Sequence, residues 1–507
     1  MSAEVATAEG HVAPAVPDAW AAIARLLGSR FVTVLLITVF AAQAAWVAVT
    51  ARSSVYDEAG LHLPSIALLA RGGPFLHQAP DDIWLGDLER SGSYLYWWVL
   101  SLVVRVAGLD PIDDMAVLRL VSVAIAAVGA AYVWRLGRAL GLGPVGANVA
   151  LLVVTANPLL VFISGTVNYD VGLHTLAWMF LYYTVRVLRS RTPRPGLYIA
   201  AVTTCGAASL TKYTFLALAP VLVVAILVHG ARTRGWWREL RSYWRASPFV
   251  LVRRAVGVVL MAAVIALVLE RYGLNLARYG TLVPSCDVVH TPALCDQFGP
   301  ILRNRVYDAV HEPDTALTWS TATAYVTEQW VPLMLERATL IGVVPLGGSR
   351  ATWVGTPVQL ALTPWLAGAL LVAAFARLVV RRRAVELVLA AGCLTYVGAL
   401  FALNLSDWLR QDVAAGVATR YVLVLLPVVV VLATLAAADL GRALPARVRP
   451  PAAVVAGLGL AVLLVAARAG LLSFVTAVDA TWLRVDPGTW RSRVTLFLHR
   501  LSGPADR

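Results

Sequence analysis

Two adjacent carboxylates, Asp57 and Glu58, follow the first hydrophobic stretch of the chain within a few residues. Carboxylates are costly to keep beside hydrocarbon, so acids at a membrane edge are candidate functional groups. An alternative interpretation is that they only cap the following helix, since acids near a helix N-terminus interact favourably with its dipole. The remaining polar residues of the chain favour the functional interpretation.

Cations and further polar groups recur at positions that the predicted topology places on the same side of the membrane. Lys212 is the only lysine in a chain with 42 Lys and Arg residues. A compact ammonium and a planar guanidinium are not interchangeable, so this exception indicates a site shaped for lysine, although chance or an interfacial role would also explain it. The other candidates are Asn168, Asp170, Arg420 and Tyr421.

These residue types match one chemical task. Cations at a membrane surface suit a lipid phosphate or pyrophosphate. A nearby carboxylate such as Asp57 could deprotonate an acceptor hydroxyl. Lys212 and Arg420 would stabilise the charge that develops on the departing phosphate. These residues therefore predict an enzyme that transfers a group from a lipid-phosphate donor to a hydroxyl.

The elements that must position these residues are membrane spans. The chain has 507 residues, of which 59% are hydrophobic and 14% charged, which is too apolar for a soluble protein of this length. The net charge of +13 could suggest nucleic acid, but the arginines cluster in short loops between apolar runs. This distribution is the positive-inside signature of a multi-pass membrane protein, so nucleic acid is excluded as a partner.

The hydrophobic runs predict an all-α fold with about eleven spans. They are Phe31–Thr50, Met115–Trp134, Val145–Ser164, Val171–Leu188, Leu197–Leu210, Phe215–Val228, Ala255–Leu269, Val358–Val380, Leu387–Leu403, Tyr421–Ala437 and Ala452–Val475. Leu61–Arg71 and the aromatic stretch Tyr94–Val106 are interpreted as amphipathic helices on the outer surface. If Tyr94–Val106 spanned instead, Arg381, Arg382 and Arg383 would lie outside, against the positive-inside rule.

The same reading divides the chain into segments. They are a disordered cytoplasmic tail (1–28), a transmembrane core (29–270) with its first external loop (51–114), an external loop (271–356), C-terminal spans (357–475) and an external tail (476–507). Cys286 and Cys295 fall in the external loop, where an oxidising compartment favours a disulfide over the alternative of a zinc site with His290.

The motifs resemble those of the GT-C membrane glycosyltransferases, in the branch of the protein O-mannosyltransferases and aminoarabinose transferases. The resemblance rests on Asp57-Glu58 after the first span, Leu118-Arg119-Leu120, Asn168-Tyr169-Asp170, Leu210-Thr211-Lys212-Tyr213 and Arg420-Tyr421 before Pro427, in that order. One departure is Ser91-Gly92-Ser93, which stands where that branch usually has a His-Pro-Pro element. This difference argues against direct transfer to protein.

The resemblance implies an inverting enzyme of the plasma membrane that uses a polyprenyl-phosphate-linked sugar on the extracytoplasmic face. It implies Asp57 as the catalytic carboxylate, with Glu58 and Asp170 positioning acceptor or sugar, and His62 is a further candidate for the same cleft. The Ala-, Val- and Arg-rich composition is typical of a high-GC bacterium such as an actinobacterium, where arabinan, mannan or glycolipid of the cell envelope would be natural acceptors. No cofactor is predicted, although a divalent cation on Asp57 and Asp170 stays open because hard cations prefer carboxylates.

Two other classes of function are compatible with a polytopic protein. A transporter or flippase of lipid-linked sugars would need polar groups near mid-membrane and broken helices in paired halves. A scaffold for envelope assembly would require neither the acidic pair nor the lone lysine. The clean Ala/Val/Leu spans and the polar groups gathered at one face favour the enzyme.

Overall fold

The computed structural model describes residues 18–51, 57–72, 94–245, 247–297, 299–310, 317–337, 341–343, 352–354, 357–411, 417–445 and 448–475, together with residue 493. Nearly all of these residues are helical. The first half of the chain contains α1 (Asp18–Leu27), α2 (Arg30–Thr50), α3 (Leu63–Arg71), α4 (Leu95–Ala107), α5 (Met115–Leu140), α6 (Pro144–Thr155), α7 (Pro158–Ser164), α8 (Tyr169–Leu188), α9 (Pro195–Thr211) and α10 (Ala219–Arg232).

The second half alternates long helices with short ones. It contains α11 (Trp236–Trp244), α12 (Pro248–Val268), α13 (Leu274–Tyr279), α14 (Cys286–Val289), α15 (Pro292–Cys295), α16 (Gly299–Val310), α17 (Trp319–Ala324), α18 (Val331–Glu336), α19 (Pro357–Arg381), α20 (Ala384–Gln411), α21 (Leu426–Ala443), α22 (Arg449–Ala466) and α23 (Leu472–Val475). The strands β1 (Ile341–Val343) and β2 (Thr352–Val354) pair antiparallel, with Gly342 opposite Trp353, a small exception to the predicted all-α fold.

Each predicted span falls on helical segments of the structure, although not always on a single helix. Val145–Ser164 is divided into α6 and α7, Ala452–Val475 is divided into α22 and α23, and Phe215–Val228 and Tyr421–Ala437 each begin in a 3₁₀-helical turn. Six stretches of the described residues are long and apolar enough to cross a membrane, or seven if α6 and α7, which are bent by 72° relative to each other, form one span. The predicted class, a multi-pass helical membrane protein, is confirmed. The number of about eleven spans stays a prediction, since α8, α9, α10 and α22 do not meet the same test.

The core lies where α2, α5, α8 and α9 pack side by side, with α6 and α21 beside them. Small residues allow these backbones to approach closely, as is usual between membrane helices. A Cβ atom on Gly165 would lie 2.5 Å from the carbonyl oxygen of Ala44, and one on Gly129 would lie 2.6 Å from Oγ1 of Thr175. Glycine at these two positions therefore sets the contacts of α7 with α2 and of α5 with α8.

Two helices were expected in the first external loop, and both are present. The predicted helix Leu61–Arg71 is observed as a π-helical turn, Glu58–His62, followed by α3, and Tyr94–Val106 is observed as α4. The side chain of Arg105 on α4 donates to carbonyl oxygens of Leu69 and Ala70 on α3, which joins the two helices.

The predicted disordered tail is wrong for residues 18–27, which form α1. Ala and Leu favour helix there, and the side-chain amide of Asn148 donates to the carbonyl oxygen of Leu27, which ties the end of α1 to α6. Residues 1–17, and the predicted external tail 476–507 apart from residue 493, lie outside the described part of the chain.

Candidate active site

The side chains of Asp57 and Glu58 point in different directions because of the backbone conformation at Asp57. Asp57 adopts a left-handed conformation, with φ +66° and ψ +18°, which residues other than glycine rarely adopt and which concentrates at functional sites. Its carbonyl oxygen accepts hydrogen bonds from the amides of Leu61 and His62, so Asp57 starts the π-helical turn. π-Helical turns are also frequent at functional sites.

Glu58 points into the protein. Its carboxylate forms a two-pronged pair with Arg119 of α5, at 2.9 Å to Nε and 2.7 Å to Nη2. It also accepts a hydrogen bond of 2.7 Å from the amide of Val167. Glu58 and Arg119 are both buried, so the carboxylate for which the sequence predicted substrate binding is paired inside the protein.

Arg119 also contacts the end of α2. Its Nη1 atom donates to the carbonyl oxygens of Ala48 and Ala51 at the end of α2. The Glu58–Arg119 pair therefore connects α2, α5 and the segment between α7 and α8. These contacts hold the backbone of the turn from which Asp57 projects.

Asp57 itself points to the open side, with 38% of its side chain exposed. Its Oδ2 atom lies 3.4 Å from Nη2 of Arg420. Arg420 lies in the 3₁₀-helical turn Thr419–Leu425 that precedes α21, and its Nε atom lies 3.7 Å from Oδ2 of Asp170. One guanidinium thus lies between two carboxylates from distant parts of the chain.

Asp170 and Lys212 form a second buried pair. Nζ of Lys212 lies 2.6 Å from Oδ1 of Asp170, and both side chains are nearly inaccessible. Asp170 lies in the first turn of α8, where a carboxylate suits the helix dipole. Lys212 is in an extended conformation directly after the last residue of α9, so its side chain leaves the helix axis.

Two tyrosine rings enclose the lysine ammonium. Nζ of Lys212 lies 4.3 Å from the ring centre of Tyr169 and 4.1 Å from that of Tyr421, within the range of cation–π attraction. The hydroxyl of Tyr421 in turn accepts a hydrogen bond of 3.2 Å from Arg420. Lys212 is therefore buried between Asp170 and the two tyrosine rings.

His62 and Asn168 are also covered by protein, although the sequence suggested that they bind substrate. Nε1 of Trp97 donates to Nδ1 of His62 at 2.9 Å, and because tryptophan can only donate, Nδ1 must be unprotonated. Burial lowers the pKa of His62 from 6.5 to about 4. Asn168 caps α8, its side-chain oxygen accepting from the amide of Asp170 at 2.8 Å.

The structure brings Asp57, Asp170, Lys212, Arg420 and Tyr421 together at one end of the helical core. Cys286 and Cys295 lie elsewhere, in α14 and α15, and are joined by a disulfide bond. Among the residues that the structure describes, no three His, Cys, Asp or Glu side chains are grouped as metal ligands would be. The position between Asp57 and Asp170, where a cation was considered, is occupied by the guanidinium of Arg420.

The site role of Arg119 was missed from the sequence, where the residue served only as part of a motif. A charged side chain inside an apolar run was the available signal, because such residues in spans are rare and usually functional. His174 was missed as well. It lies one helical turn after Asp170, is buried, and stacks on Trp178 with ring centres 5.8 Å apart.

Comparison with known proteins places part of this chain in a family context. Residues 92–259 match the model of the family described as dolichyl-phosphate-mannose-protein mannosyltransferase. The resemblance to GT-C glycosyltransferases predicted from the sequence is thereby confirmed over that range. The matched range includes Arg119, Asp170 and Lys212 but neither Asp57 nor Arg420. The search among curated proteins gives no match.

Two solved structures are similar at low identity. ArnT from Cupriavidus metallidurans bound to undecaprenyl phosphate is 17% identical, with 84% of this chain and 64% of that chain covered and a TM-score of 0.43. The apo state of the same protein is 17% identical, with 82% and 60% covered and a TM-score of 0.41. The chain thus spans less than two thirds of the length of these proteins.

Proposed function

We propose that this protein is a membrane glycosyltransferase that moves a sugar from a polyprenyl-phosphate-linked donor to a hydroxyl group of a cell-envelope acceptor. The proposal places the reaction on the extracytoplasmic face of the plasma membrane. Glycan or glycolipid, such as arabinan or mannan, would be the acceptor. The observation that carries it is the half-exposed carboxylate of Asp57, 3.4 Å from the guanidinium of Arg420.

The chemistry is a single displacement at the anomeric carbon. Asp57 takes the proton of the acceptor hydroxyl, whose oxygen forms the new bond to the anomeric carbon. The bond between that carbon and the phosphate oxygen breaks, and the phosphate leaves with the electron pair. Arg420 stabilises the charge on the departing phosphate, and attack opposite the leaving group inverts the configuration.

The buried residues of the site act through Asp57 and Arg420. Lys212 lies within 2.6 Å of Asp170 and supports the position of Arg420 through Asp170 and Tyr421. Glu58 and Arg119 hold the backbone turn of Asp57. This assignment differs from the sequence-based expectation, in which Lys212 contacts phosphate directly and Glu58 contacts sugar or acceptor.

The family match supports the choice of donor. The matched family is described by a dolichyl-phosphate-linked mannose, and dolichyl phosphate is a polyprenyl phosphate. The identity of the sugar does not follow from a match over part of the chain.

The test is the rate of polyprenyl-phosphate release by purified protein, with Asp57→Asn compared with wild type. Loss of a general base is expected to lower the rate by about 10²- to 10⁴-fold. Asp113→Asn, which changes an exposed acid of the same external segment, is the matched control and should leave the rate unchanged. Wild-type turnover by a monodisperse Asp57→Asn variant would remove Asp57 from the mechanism.

One observation favours a transporter of lipid-linked sugars as the second candidate. The bend of 72° between α6 and α7 is a broken helix close to the site, a feature of many transporters. Paired breaks in two halves are expected of that class, and the described residues show this one pair. Release of polyprenyl phosphate by detergent-solubilised protein, without a membrane gradient, would favour the transferase.

A further inference from the structure

A groove between α9 and α12 lies far from the candidate active site. It has a volume of about 620 Å³. Gly196, at the start of α9, lines it, whereas Lys212 follows the other end of that helix. Sixteen residues of helix separate the two ends by about 24 Å, close to the thickness of a bilayer core. The groove and the active site therefore lie at opposite ends of the spanning helices.

The two ends of the groove differ in chemistry. One end is lined by Arg194, which directly precedes α9, and by Arg253 and Arg254 near the start of α12. Away from them, Ile199 of α9 and Gly257 of α12 continue the lining. Thr203 also lines this part, but its hydroxyl donates to the carbonyl oxygen of Ile199 within its own helix. The lining of the groove thus changes from cationic to apolar within about two helical turns.

The arginines are not equivalent. The guanidinium carbon of Arg254 lies 4.5 Å from the ring centre of Tyr243, and Arg254 donates to the carbonyl oxygen of the same residue. Arg254 therefore connects α11 with α12. The side chains of Arg194 and Arg253 have neither a hydrogen bond nor an ion pair with any described residue. The acid in the lining, Glu239, faces Arg238 at 3.5 Å. Arg194 and Arg253 are therefore available to an anion.

The surroundings of the groove place it at a membrane surface. None of the residues of α12 is buried, and this helix is apolar and long enough to span. The helix α11 precedes it by three residues and exposes Trp237, 80% accessible, beside Arg241. Tryptophan and arginine together are typical of helices at the lipid headgroup level.

We propose that this groove binds one anionic phospholipid, with the phosphate held by Arg194 and Arg253 and the first part of an acyl chain lying along Ile199 and Gly257. A free phosphate would use only the cationic end. A zwitterionic lipid would use the apolar end but gain less from the two arginines. This site is independent of the proposed transferase activity.

The experiment measures lipid binding to the purified full chain by native mass spectrometry. Phosphatidylglycerol and phosphatidylcholine with the same acyl chains are the probes. Since each arginine near a lipid surface contributes about fivefold in affinity, wild type should prefer phosphatidylglycerol by at least tenfold. Arg194→Gln/Arg253→Gln should lower that preference to below about twofold, while Arg25→Gln/Arg382→Gln, which removes the same charge elsewhere on the surface, should retain it.

A second variant tests the apolar end. Among the residues that the structure describes, a Cβ atom on Gly257 would meet only the side chain of Ile199, at 3.7 Å, so Gly257→Leu fills the groove without a backbone clash. It should weaken binding of both lipids about tenfold. Gly368→Leu on α19, where no atom of the described residues lies within 4 Å of the added Cβ, is the matched control and should have no effect.

Three results would overturn the proposal. Equal binding of the two lipids by wild type would show no headgroup selection. Displacement of phosphatidylglycerol by millimolar inorganic phosphate would identify a site for free anions. Stronger binding of undecaprenyl phosphate than of phosphatidylglycerol, lost in Arg194→Gln/Arg253→Gln, would identify the carrier lipid as the occupant. Each variant is compared only as a monodisperse sample, and Gly257→Leu tests the proposal if the arginine variant does not fold.

Discussion

The guanidinium of Arg420 lies 3.4 Å from the carboxylate of Asp57, although 363 positions separate the two residues in the chain. The same guanidinium lies 3.7 Å from Asp170. Its planar shape suits this arrangement, because it can present separate N–H groups to two acids at once. Arg420 therefore sets the distance between the carboxylate that is open to solvent and the one that is buried.

Substitution of Arg420 by lysine is expected to lower kcat/KM for sugar transfer by about 10²-fold. A single ammonium cannot face both acids, and loss of one stabilising donor costs about 10² to 10³ in other enzymes. The measurement is the initial rate of polyprenyl-phosphate release over a range of donor concentrations. Arg410→Lys, on the exposed pair with Asp407, serves as the control, and equal rates for Arg420→Lys and wild type would contradict the role of Arg420.

The buried pair of Glu58 and Arg119 is expected to contribute strongly to stability. Glu58→Gln leaves the Arg119 charge enclosed without a full counter-charge, which should cost about 3–5 kcal/mol. The double variant Glu58→Gln/Arg119→Met should be less destabilised than the sum of the two single variants, because the residues are coupled. Thermal unfolding in detergent measures these differences.

The control for this pair is Glu239→Gln, which removes the exposed contact between Glu239 and Arg238. Exposed pairs contribute about 0–1 kcal/mol, so this variant should melt close to wild type. Additive effects of Glu58→Gln and Arg119→Met would show that the two residues are not coupled in the folded protein.

Lys212 is expected to tolerate no other residue, arginine included. The space between the rings of Tyr169 and Tyr421, at 4.3 and 4.1 Å from Nζ, fits an ammonium, whereas a guanidinium is larger and planar. We expect Lys212→Arg to lower kcat more than tenfold with a smaller change in KM, because Lys212 acts through Asp170 and Arg420. Arg241→Lys, at an exposed position, is the reverse control, and full activity of Lys212→Arg would argue for a non-specific interfacial lysine.

His62 is expected to make stability depend on pH. Its pKa is lowered from 6.5 to about 4 by burial, so between these values the unfolded chain binds more protons than the folded one. The free energy of unfolding therefore rises with pH across this window. The contribution is fully present above about pH 6.5 and is lost as the pH falls toward 4, by up to about 3 kcal/mol.

The measurement for His62 is the difference in thermal midpoint between pH 7 and pH 4.5, in wild type and in His62→Gln. Glutamine can accept the hydrogen bond from Trp97 but does not titrate. The loss of stability at pH 4.5 should be smaller in the variant, since other groups titrate equally in both proteins. The same loss in both proteins would show that His62 is not the titrating group.

Much of this protein was determined by the sequence alone. The apolar runs predict each spanning helix, because any backbone in a bilayer must satisfy its hydrogen bonds internally and a long hydrophobic run allows little else. Acids at the edges of such runs are costly, which also indicates Asp57 and Asp170 as candidates, and Lys212 is indicated because it is the only lysine of the chain. The family resemblance rests on the same short motifs.

Only the tertiary structure decided how the candidates divide between open and buried positions. Asp57 and Glu58 are neighbours in the chain, yet the left-handed backbone at Asp57 sends one carboxylate outward and the other to Arg119. Sequence spacing cannot show this, because side-chain direction depends on the backbone dihedral angles and on which distant helices meet. For the same reason only the structure shows Lys212 enclosed by two tyrosine rings. It also shows that Arg420, which the sequence had already grouped with Asp57, lies between two carboxylates.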